Sequence, residues 1–383
     1  MRIQVRLPQV KPNEYELPET CPYGCGCKYF RRHGTQGQRK QLRDTRYTEV
    51  TVYRYQCVNC GRTFRVYPKG VLKGTQQSAR LKGITVLLYV LGLSYGAVED
   101  FTQALGCGIG KTMVYYNVQA AGGVSREQQK QQVHSGGQRA VVGADATYVK
   151  VKGKSVGIEV VVDDHTGELL GLEIITSEQS DEILELITKV MEEVEGEVLV
   201  SDDHGAYTEV VDVLAVEHQI CRSHVKRNVD ALAESLTRQL AREKTPPPQE
   251  ADLSPEQLQD DLEHLKQLVR ARPSDGEEQL ATLYERYKDV PVPPVGTRHS
   301  VWYRMRMLIT RLWNRWRNLT LDLMRGDLDG TNNSCERLIG WWIKERYRTM
   351  RGYKRAESIR NVVSLTAMLG AHQGAFDLTA LIA

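Results

Sequence analysis

The fold is predicted most clearly by the sequence pattern of residues 139–175. It contains RAVVGADATYVKV at 139–151, SVGIEVVV at 155–162 and ELLGLEII at 168–175. Each run is rich in β-branched residues and is bounded by turn residues, at 152–153 and 163–167, which is typical of strands. Because connections this short join antiparallel neighbours, the sequence predicts three antiparallel strands in succession.

Helices and single strands alternate after these three strands. Ser180 is a good helix cap, and Asp181 and Glu182 follow it in the first turn of a helix that we expect to reach about Val194. A strand at 198–200, a short helix, a strand at 216–221 and a helix from about His224 come next. This is the order of an RNase H-like α/β core, a mixed five-stranded sheet with helices.

Two carboxylates lie on strands of this predicted sheet. Asp145 lies midway along the first strand, where an acidic residue is hard to place without a role, although a strand Asp satisfied by the backbone is the alternative. Asp202 directly follows the fourth strand, at the carboxyl end where ligands gather in α/β sheets, and Asp203 rivals it. Cys221 and His224 lie where the last strand passes into its helix. We expect them to support the site, because two ligands cannot hold a zinc ion.

A third carboxylate is predicted in DGTNNSCERLIGWWIKERYRTMRG at 329–352. The polar residues at 331–333 can cap a helix and Gly352 can end it, which predicts about five turns with Glu336 near the start. Four basic residues share one face: Arg337, Lys344, Arg348 and Arg351. A capping Glu above a solvated basic face is the alternative. Three carboxylates could hold two divalent cations about 3.5–4 Å apart, which suits metal-assisted phosphate chemistry.

The first 74 residues predict a zinc ribbon. The pairs Cys21/Cys25 and Cys57/Cys60 flank a strand-like segment, and four thiolates suit a structural zinc site; Cys27 and His33 are competing ligands. Basic residues with interleaved aromatic residues suggest a DNA-facing surface here, and we single out Arg54, Arg62 and Arg65.

Three short helices with glycine turns follow at 75–122 and match a helix-turn-helix. Its third helix would be the recognition helix and carries Lys111, Thr112 and Tyr115. The Gly- and Gln-rich residues 123–138 are predicted to be a linker. The core would then occupy 139–232 and 329–383, with a helical insertion at 233–328.

Charge is segregated along the chain. Residues 1–140 carry 21 Lys and Arg against 8 Asp and Glu, residues 141–295 carry 15 against 33, and residues 296–360 carry 15 against 6. The two basic blocks predict contacts with nucleic acid. No apolar run reaches the length of a membrane span and the cysteines suit a reducing compartment, so we expect a cytoplasmic protein, nucleoid-associated when bound to DNA.

On the basis of these residues, the sequence resembles bacterial insertion-sequence transposases of the DDE type. More narrowly, it resembles the Mutator-like group with its Cys-x-x-His motif. The resemblance rests on RYQCVNCGRTF, GADATYVKVKG, SDDHGAY and TNNSCERLI. It implies that Asp145, Asp202 and Glu336 hold two Mg²⁺ or Mn²⁺ ions. It also implies that the N-terminal modules bind terminal inverted repeats and that the enzyme acts as a dimer or larger assembly. A transposase-derived DNA-binding regulator without catalysis is the alternative function.

Overall fold

The computed structural model describes residues 3–135, 137–175, 181–242, 253–349, 352–371 and 374–382. The chain separates into two units. Unit 1 consists of Met1–Ser135, Tyr148–Val156 and Arg337–Ala383, and unit 2 consists of Gly136–Thr147 and Gly157–Glu336. The predicted helix cap Ser180 and the basic residue Arg351 lie outside the described residues.

Unit 1 begins with seven short strands: β1 (Val5–Arg6), β2 (Lys11–Tyr15), β3 (Phe30–Arg32), β4 (Gln38–Gln41), β5 (Glu49–Cys57), β6 (Thr63–Val66) and β7 (Pro68–Lys69). The longest strand, β5, pairs antiparallel with β3, β4 and β6, and β2 pairs with β7. Buried residues Val10, Leu42, Val50 and Val71 form a small core beside this sheet.

Three helices follow: α1 (Ala79–Val90), α2 (Tyr95–Ala104) and α3 (Lys111–Ser135). The side chains of Ser78 and Ser94 accept the backbone N–H groups of Leu81 and Ala97, so both serines cap the helices they precede. The three predicted helices are therefore present, and the assignment as a helix-turn-helix stays a prediction.

The predicted linker at 123–138 differs from the structure, because α3 continues to Ser135. The helix has a buried face that includes Val118, Ala121 and Ser125. At Gly122 an added Cβ atom would lie 2.4 Å from the backbone oxygen of Asn361. The glycine thus permits two helices to approach closely, and the composition that suggested a break instead reflects packing.

The central sheet is built from β8 (Val141–Val151), β9 (Lys154–Asp163), β10 (Leu169–Ile175), β11 (Val198–Ser201) and β12 (Glu217–Ile220). Between and after them lie α4 (Asp181–Val194), α5 (Gly205–Leu214) and α6 (Arg222–Leu240). The strand order is β10-β9-β8-β11-β12, with β9 and β10 antiparallel and β8, β11 and β12 parallel. The mixed five-stranded sheet is confirmed. Its hairpin turn is formed by Lys152 and Gly153, both with positive φ, as a two-residue turn of this hand requires.

Unit 2 also contains the helices of the predicted insertion: α7 (Pro255–Ala271), α8 (Gly276–Tyr287), α9 (Val301–Leu319) and α10 (Leu321–Met324). The helices α7, α8 and α9 enclose an apolar core together with α6. Trp302 and Trp316 are buried in it and Trp313 packs against it, so these residues serve helix packing, the role that the sequence favoured for them.

The chain ends with α11 (Asn333–Leu338), a π-helical segment (Ile339–Lys344), α12 (Glu345–Arg348), α13 (Ala356–Ala371), β13 (Phe376–Asp377) and α14 (Thr379–Ile382). The predicted five-turn helix is therefore interrupted by a wider turn. An added Cβ at Gly370 would overlap the ring of Trp342, so this turn coincides with a tight contact on α13. Among the described residues, no helix is both long and apolar enough to cross a membrane.

Candidate active site and candidate zinc centre

The register of the parallel strands aligns three of the predicted site residues. Val200 pairs with Gly143, and Ser201 pairs with Ile220. Asp145 and Asp202 each lie two residues beyond the first pair. Asp202 and Cys221 each lie one residue beyond the second pair. Since side chains two apart on a strand share a face, Asp145, Asp202 and Cys221 occupy one level across three neighbouring strands.

The electrostatics of Asp145 agree with this alignment. Burial raises the pKa of Asp145 to about 6, and the charges of Asp202 and Glu336 add to the rise while His224 opposes it. One of its carboxylate oxygens accepts the backbone N–H of Ala146 at 2.9 Å. A buried carboxylate beside two others carries unfavourable charge, which a divalent cation would neutralise.

Asp202 and Asp203 have different surroundings. Asp202 accepts the backbone N–H of His204 at 3.0 Å, and its charge acts on Asp145. Asp203 instead pairs with the guanidinium groups of Arg311 and Arg315 on α9. The geometry therefore supports Asp202 over Asp203 as the partner of Asp145.

Glu336, the third predicted carboxylate, lies on α11. Its Oε1 lies 3.2 Å from Nε2 of His224, in the first turn of α6. A hydrogen bond with the side chain of Cys221 raises the pKa of His224, and the charges of Cys221, Glu336 and Asp145 add to it. Burial pushes the pKa of the Cys221 thiol upward, but hydrogen bonds from His224 and Asn332 outweigh it, and the pKa is lower than usual. The raised pKa shifts His224 toward its charged form, and its Nε2 lies within ion-pair distance of the carboxylate of Glu336.

Asn332 links the three elements that carry these residues, and sequence reasoning gave it only a capping role. Its side-chain Nδ2 donates to the carbonyl of Ala144 at 2.8 Å, and its backbone N–H donates to the sulfur of Cys221 at 3.4 Å. Its carbonyl accepts the backbone N–H of Glu336 at 3.0 Å. Asn332 is fully buried.

Further buried polar groups near Asp145 were missed. An added Cβ at Gly143 would lie 2.9 Å from Oδ1 of Asn332 and 3.3 Å from Oδ1 of Asp164, whose pKa is raised to about 6 by burial and then by Asp329. A glycine inside a strand marks close approach, and this was the available signal. Glu159 on β9 is also buried and accepts the hydroxyl of Tyr207.

Within the described part of the chain, two groups of His, Cys, Asp or Glu side chains could hold a metal ion. In unit 2, ligand atoms of Cys221, His224 and Glu336 all lie within 4.8 Å of one another, so the carboxylate supplies the third ligand that the sequence did not assign to this pair. The oxygen ligands of Asp145, Asp202 and Glu336 suit Mg²⁺, whereas a thiol and an imidazole suit softer ions.

The second group is the cysteine cluster of unit 1, formed by Cys21, Cys25, Cys57 and Cys60. The sulfurs of Cys21 and Cys60 are 3.7 Å apart, and those of Cys25 and Cys57 are 3.5 Å apart. A tetrahedral site with Zn–S bonds of about 2.3 Å has sulfurs about 3.8 Å apart, so the cluster fits zinc. The competing thiol of Cys27 instead contacts the backbone of Tyr29.

The residues predicted to contact DNA lie in unit 1. Arg54 and Arg65 are exposed and directly opposite each other on β5 and β6, and the guanidinium of Arg62 lies 5.4 Å from the ring of Tyr23. The remaining described members of this set are on helical segments: Lys111, Thr112 and Tyr115 on α3, Arg337 on α11, Lys344 and Arg348. Tyr115 is half-buried and the other five are exposed.

These features define a mixed α/β protein with a group formed by Cys221, His224 and Glu336 and a separate four-cysteine cluster. The chain belongs to the IS66 family of transposases, because the family model described as Transposase IS66 family matches residues 74–347. It is thus an insertion-sequence transposase, and the family implies nuclease or transferase activity in general terms. The match does not support the narrower resemblance to the Mutator-like group. No curated protein matches the sequence.

Proposed function

We propose that this transposase cleaves and joins DNA strands by two-metal, in-line phosphoryl transfer at an RNase H-like core. The observation that supports the proposal is that the charges of Asp202 and Glu336 both raise the pKa of Asp145, although the three residues come from distant stretches of the chain. Two Mg²⁺ or Mn²⁺ ions held by these carboxylates would activate the attacking oxygen and stabilise the leaving oxygen.

The proposed reaction has two steps. Water first attacks the phosphodiester at the end of the element and releases a 3′-hydroxyl. That hydroxyl then attacks a phosphodiester of the target DNA, forms a new bond to its phosphorus and displaces the target's own 3′-oxygen. His224 holds Glu336 in place through its Nε2, and Asn332 fixes the strand carrying Asp145 relative to the helix carrying Glu336. They are positioning residues.

DNA contacts are proposed for unit 1. It carries 31 Lys and Arg against 11 Asp and Glu, whereas unit 2 carries 20 against 37. The zinc ribbon at 1–74, through Arg54, Arg62 and Arg65, and the helix-turn-helix at 75–122, through Lys111, Thr112 and Tyr115, would bind the terminal inverted repeats. The basic residues Arg337, Lys344, Arg348 and Arg351 would contact the DNA backbone.

We further propose that the catalytic core consists of residues 139–232 and 329–383, with an insertion at 233–328. The protein would act on DNA as a dimer or larger assembly. Three carboxylates that interact electrostatically suit an enzyme, because a protein that only binds DNA gains nothing from negative charge near phosphates. No observation favours the regulator without catalysis.

The test is a cleavage assay on linear DNA that carries the element's own ends, with Mg²⁺. Wild-type protein should nick at the ends, and Asp145→Ala and Glu336→Ala should reduce nicking by at least a hundredfold. Asp212→Asn changes an exposed carboxylate on α5 and should leave nicking unchanged. Nicking by Asp145→Ala and Glu336→Ala at the wild-type rate would refute the proposed site.

A further inference from the structure

Unit 1 contains a cleft that none of the proposed steps uses. It lies among α1, α2, the start of α3 and the segments 346–349 and 352–358, and its volume is about 820 Å³. Six of its lining residues carry the argument: Tyr89, Tyr95, Tyr115, Arg346, Lys354 and Arg355. A volume in this range holds a ligand of nucleotide size or larger.

Aromatic rings form a continuous series in this cleft. The guanidinium carbon of Arg346 lies 3.9 Å from the centroid of the Tyr89 ring. Tyr95 stacks on Tyr89 with centroids 4.4 Å apart, and the ring of Tyr115 meets Tyr95 edge-on at 5.6 Å. Tyr115 is half-buried, so part of its ring remains accessible. Planar aromatic surface of this kind binds nucleobases without regard to their sequence.

The charges in the cleft indicate an anionic ligand. Lys354, Arg355 and Lys111 are exposed at its edge, and none of the described lining residues is acidic. Arg346 is 3% exposed, and it pairs with no carboxylate among the described residues. Its guanidinium donates to the backbone oxygens of Gly92 and Leu93. A buried arginine without a counter-ion is costly unless an anion compensates its charge.

Two buried polar groups of the lining find no hydrogen-bond partner among the described residues. They are the Nε of Arg346 and the hydroxyl of Tyr353. Buried polar groups are normally satisfied, so two such groups in one cleft call for an explanation. A phosphate or base edge in the cleft could supply acceptors after a small shift of these side chains.

We propose that this cleft binds an unpaired nucleotide of a DNA strand, with its base against the tyrosines and its phosphates at Lys111, Lys354 and Arg355. The inference rests on the proposed function in taking DNA as the source of the nucleotide. Lys111 and Tyr115 also lie on the helix proposed to bind the terminal inverted repeats, and the inference gives them an unpaired nucleotide as a second ligand.

The test measures binding of labelled oligo(dT), about 20 nucleotides long, in EDTA so that no strand is cut. Tyr115→Ala and Lys111→Glu should each weaken binding about tenfold, because each removes a stacking surface or a phosphate contact. The matched controls are Tyr116→Ala, an exposed neighbour outside the lining, and Lys130→Glu, which lies about 28 Å further along α3. Both controls should bind within twofold of wild type.

Three results would overturn the inference. One is equal binding by the cleft variants and their controls, with circular dichroism showing all of them folded. The second is an equal loss of affinity for blunt duplex DNA that lacks the terminal inverted repeats, which would indicate a general basic surface. The third is binding of free thymidine monophosphate as tight as that of oligo(dT), which would indicate a small-nucleotide site.

The assay also separates this inference from the proposed function. Asp145→Asn should bind oligo(dT) normally while losing cleavage of element ends. If the cleft variants bind like wild type while Asp145→Asn abolishes cleavage, only the inference about the cleft fails. If the cleft variants lose binding and Asp145→Asn still cleaves, only the catalytic proposal fails.

Discussion

Asp145 illustrates how a carboxylate proposed to act in catalysis costs stability. It lies within β8, and burial raises its pKa to about 6. Asp202 and Glu336 add negative charge nearby. At neutral pH the metal-free protein therefore holds a largely ionised carboxylate in a place that favours the protonated form.

The first prediction concerns Asp145→Asn. Because the folded-state pKa is raised, ionisation of Asp145 destabilises the fold as pH rises from about 4 through 6. In EDTA at pH 7.5 the substitution should stabilise the protein by about 2 kcal/mol, and the gain should vanish at pH 4, where wild-type Asp145 is protonated when folded. Thermal melts at both pH values measure it. A lower melting temperature for the variant at pH 7.5 would contradict the prediction.

The second prediction concerns Asn332→Asp. The substitution removes the donor to the carbonyl of Ala144 and places a carboxyl group in a fully buried position. We expect loss of about 1–3 kcal/mol of stability and a cleavage rate at least tenfold lower. Because Asn332 positions the carboxylates, the Mg²⁺ concentration for half-maximal cleavage should rise as well.

Asn333→Asp is the matched control, since Asn333 is exposed and begins α11. It should retain wild-type stability and wild-type Mg²⁺ dependence. If Asn332→Asp loses stability but keeps the wild-type Mg²⁺ dependence, Asn332 serves only the fold.

For individual residues, the sequence indicated the candidate acidic residues but not the residues that hold them in position. Asp145 stands out because a charge inside an apolar strand is unusual, and Asp202 because it directly follows one. Asn332 gave no such signal, since an asparagine before a helix is common as a cap. Its buried bonds to Ala144 and Cys221 depend on strands more than a hundred residues away, which local patterns cannot reveal.

Among the elements, the predicted zinc ribbon is expected to depend on its cysteine cluster, because the sheet beside it has a small core. The third prediction is that Cys57→Ser loses the stoichiometric zinc of the wild-type protein, since Cys57 belongs to the cluster of four sulfurs. Cys27→Ser should keep the zinc, because the thiol of Cys27 contacts Tyr29 instead. Elemental analysis of purified protein measures both. Full zinc content in Cys57→Ser would refute the ligand set.

The fourth prediction tests the packing of α3 on α13. Gly122→Ala should destabilise the protein by about 1–3 kcal/mol, because the new methyl group would overlap the backbone of Asn361. Gly123→Ala, one residue on, meets no atom within 4 Å and should stabilise the helix by about 0.5–1 kcal/mol. Thermal or urea unfolding compares the two variants. Equal effects would show that α3 does not pack as described.

Long elements with a strong hydrophobic pattern were predictable from the sequence. The positions at which helices continue or are interrupted were not. The three antiparallel strands were predictable from β-branched runs and short turns. The extension of α3 to Ser135 and the π-helical turn at Ile339–Lys344 depend on contacts with α13, which only tertiary packing supplies.

In the molecule as a whole, the two units differ strongly in formal net charge. Unit 1 has a formal net charge of +20 and unit 2 of −17, although the chain as a whole has only +3. The basic blocks of the sequence were visible from composition, and the structure places residues 1–135 of the first and residues 337–360 of the last in unit 1, whereas residues 296–336 belong to unit 2. That the two ends of the chain share one unit could not be read from the sequence, because it follows from long-range pairing such as that of β1 with β13.

The fifth prediction is a steep salt dependence of DNA binding. If several basic side chains of unit 1 contact phosphates, affinity for duplex DNA should fall by about 10³-fold or more between 50 and 200 mM salt. Replacing Arg54 and Arg65 together by Glu should reduce the slope by about two phosphate contacts. Lys189→Glu, an exposed change on α4 of unit 2, should leave the slope unchanged. A slope unaffected by Arg54 and Arg65 would remove β5 and β6 from the DNA interface.

The most direct test of the catalytic proposal is anomalous diffraction from crystals of the protein soaked in Mn²⁺. We predict anomalous peaks within bonding distance of carboxylate oxygens from Asp145, Asp202 and Glu336 together. A peak bound by Cys221, His224 and Glu336 without either aspartate, or no peak near Asp145, would contradict a shared metal site and the proposed strand transfer with it.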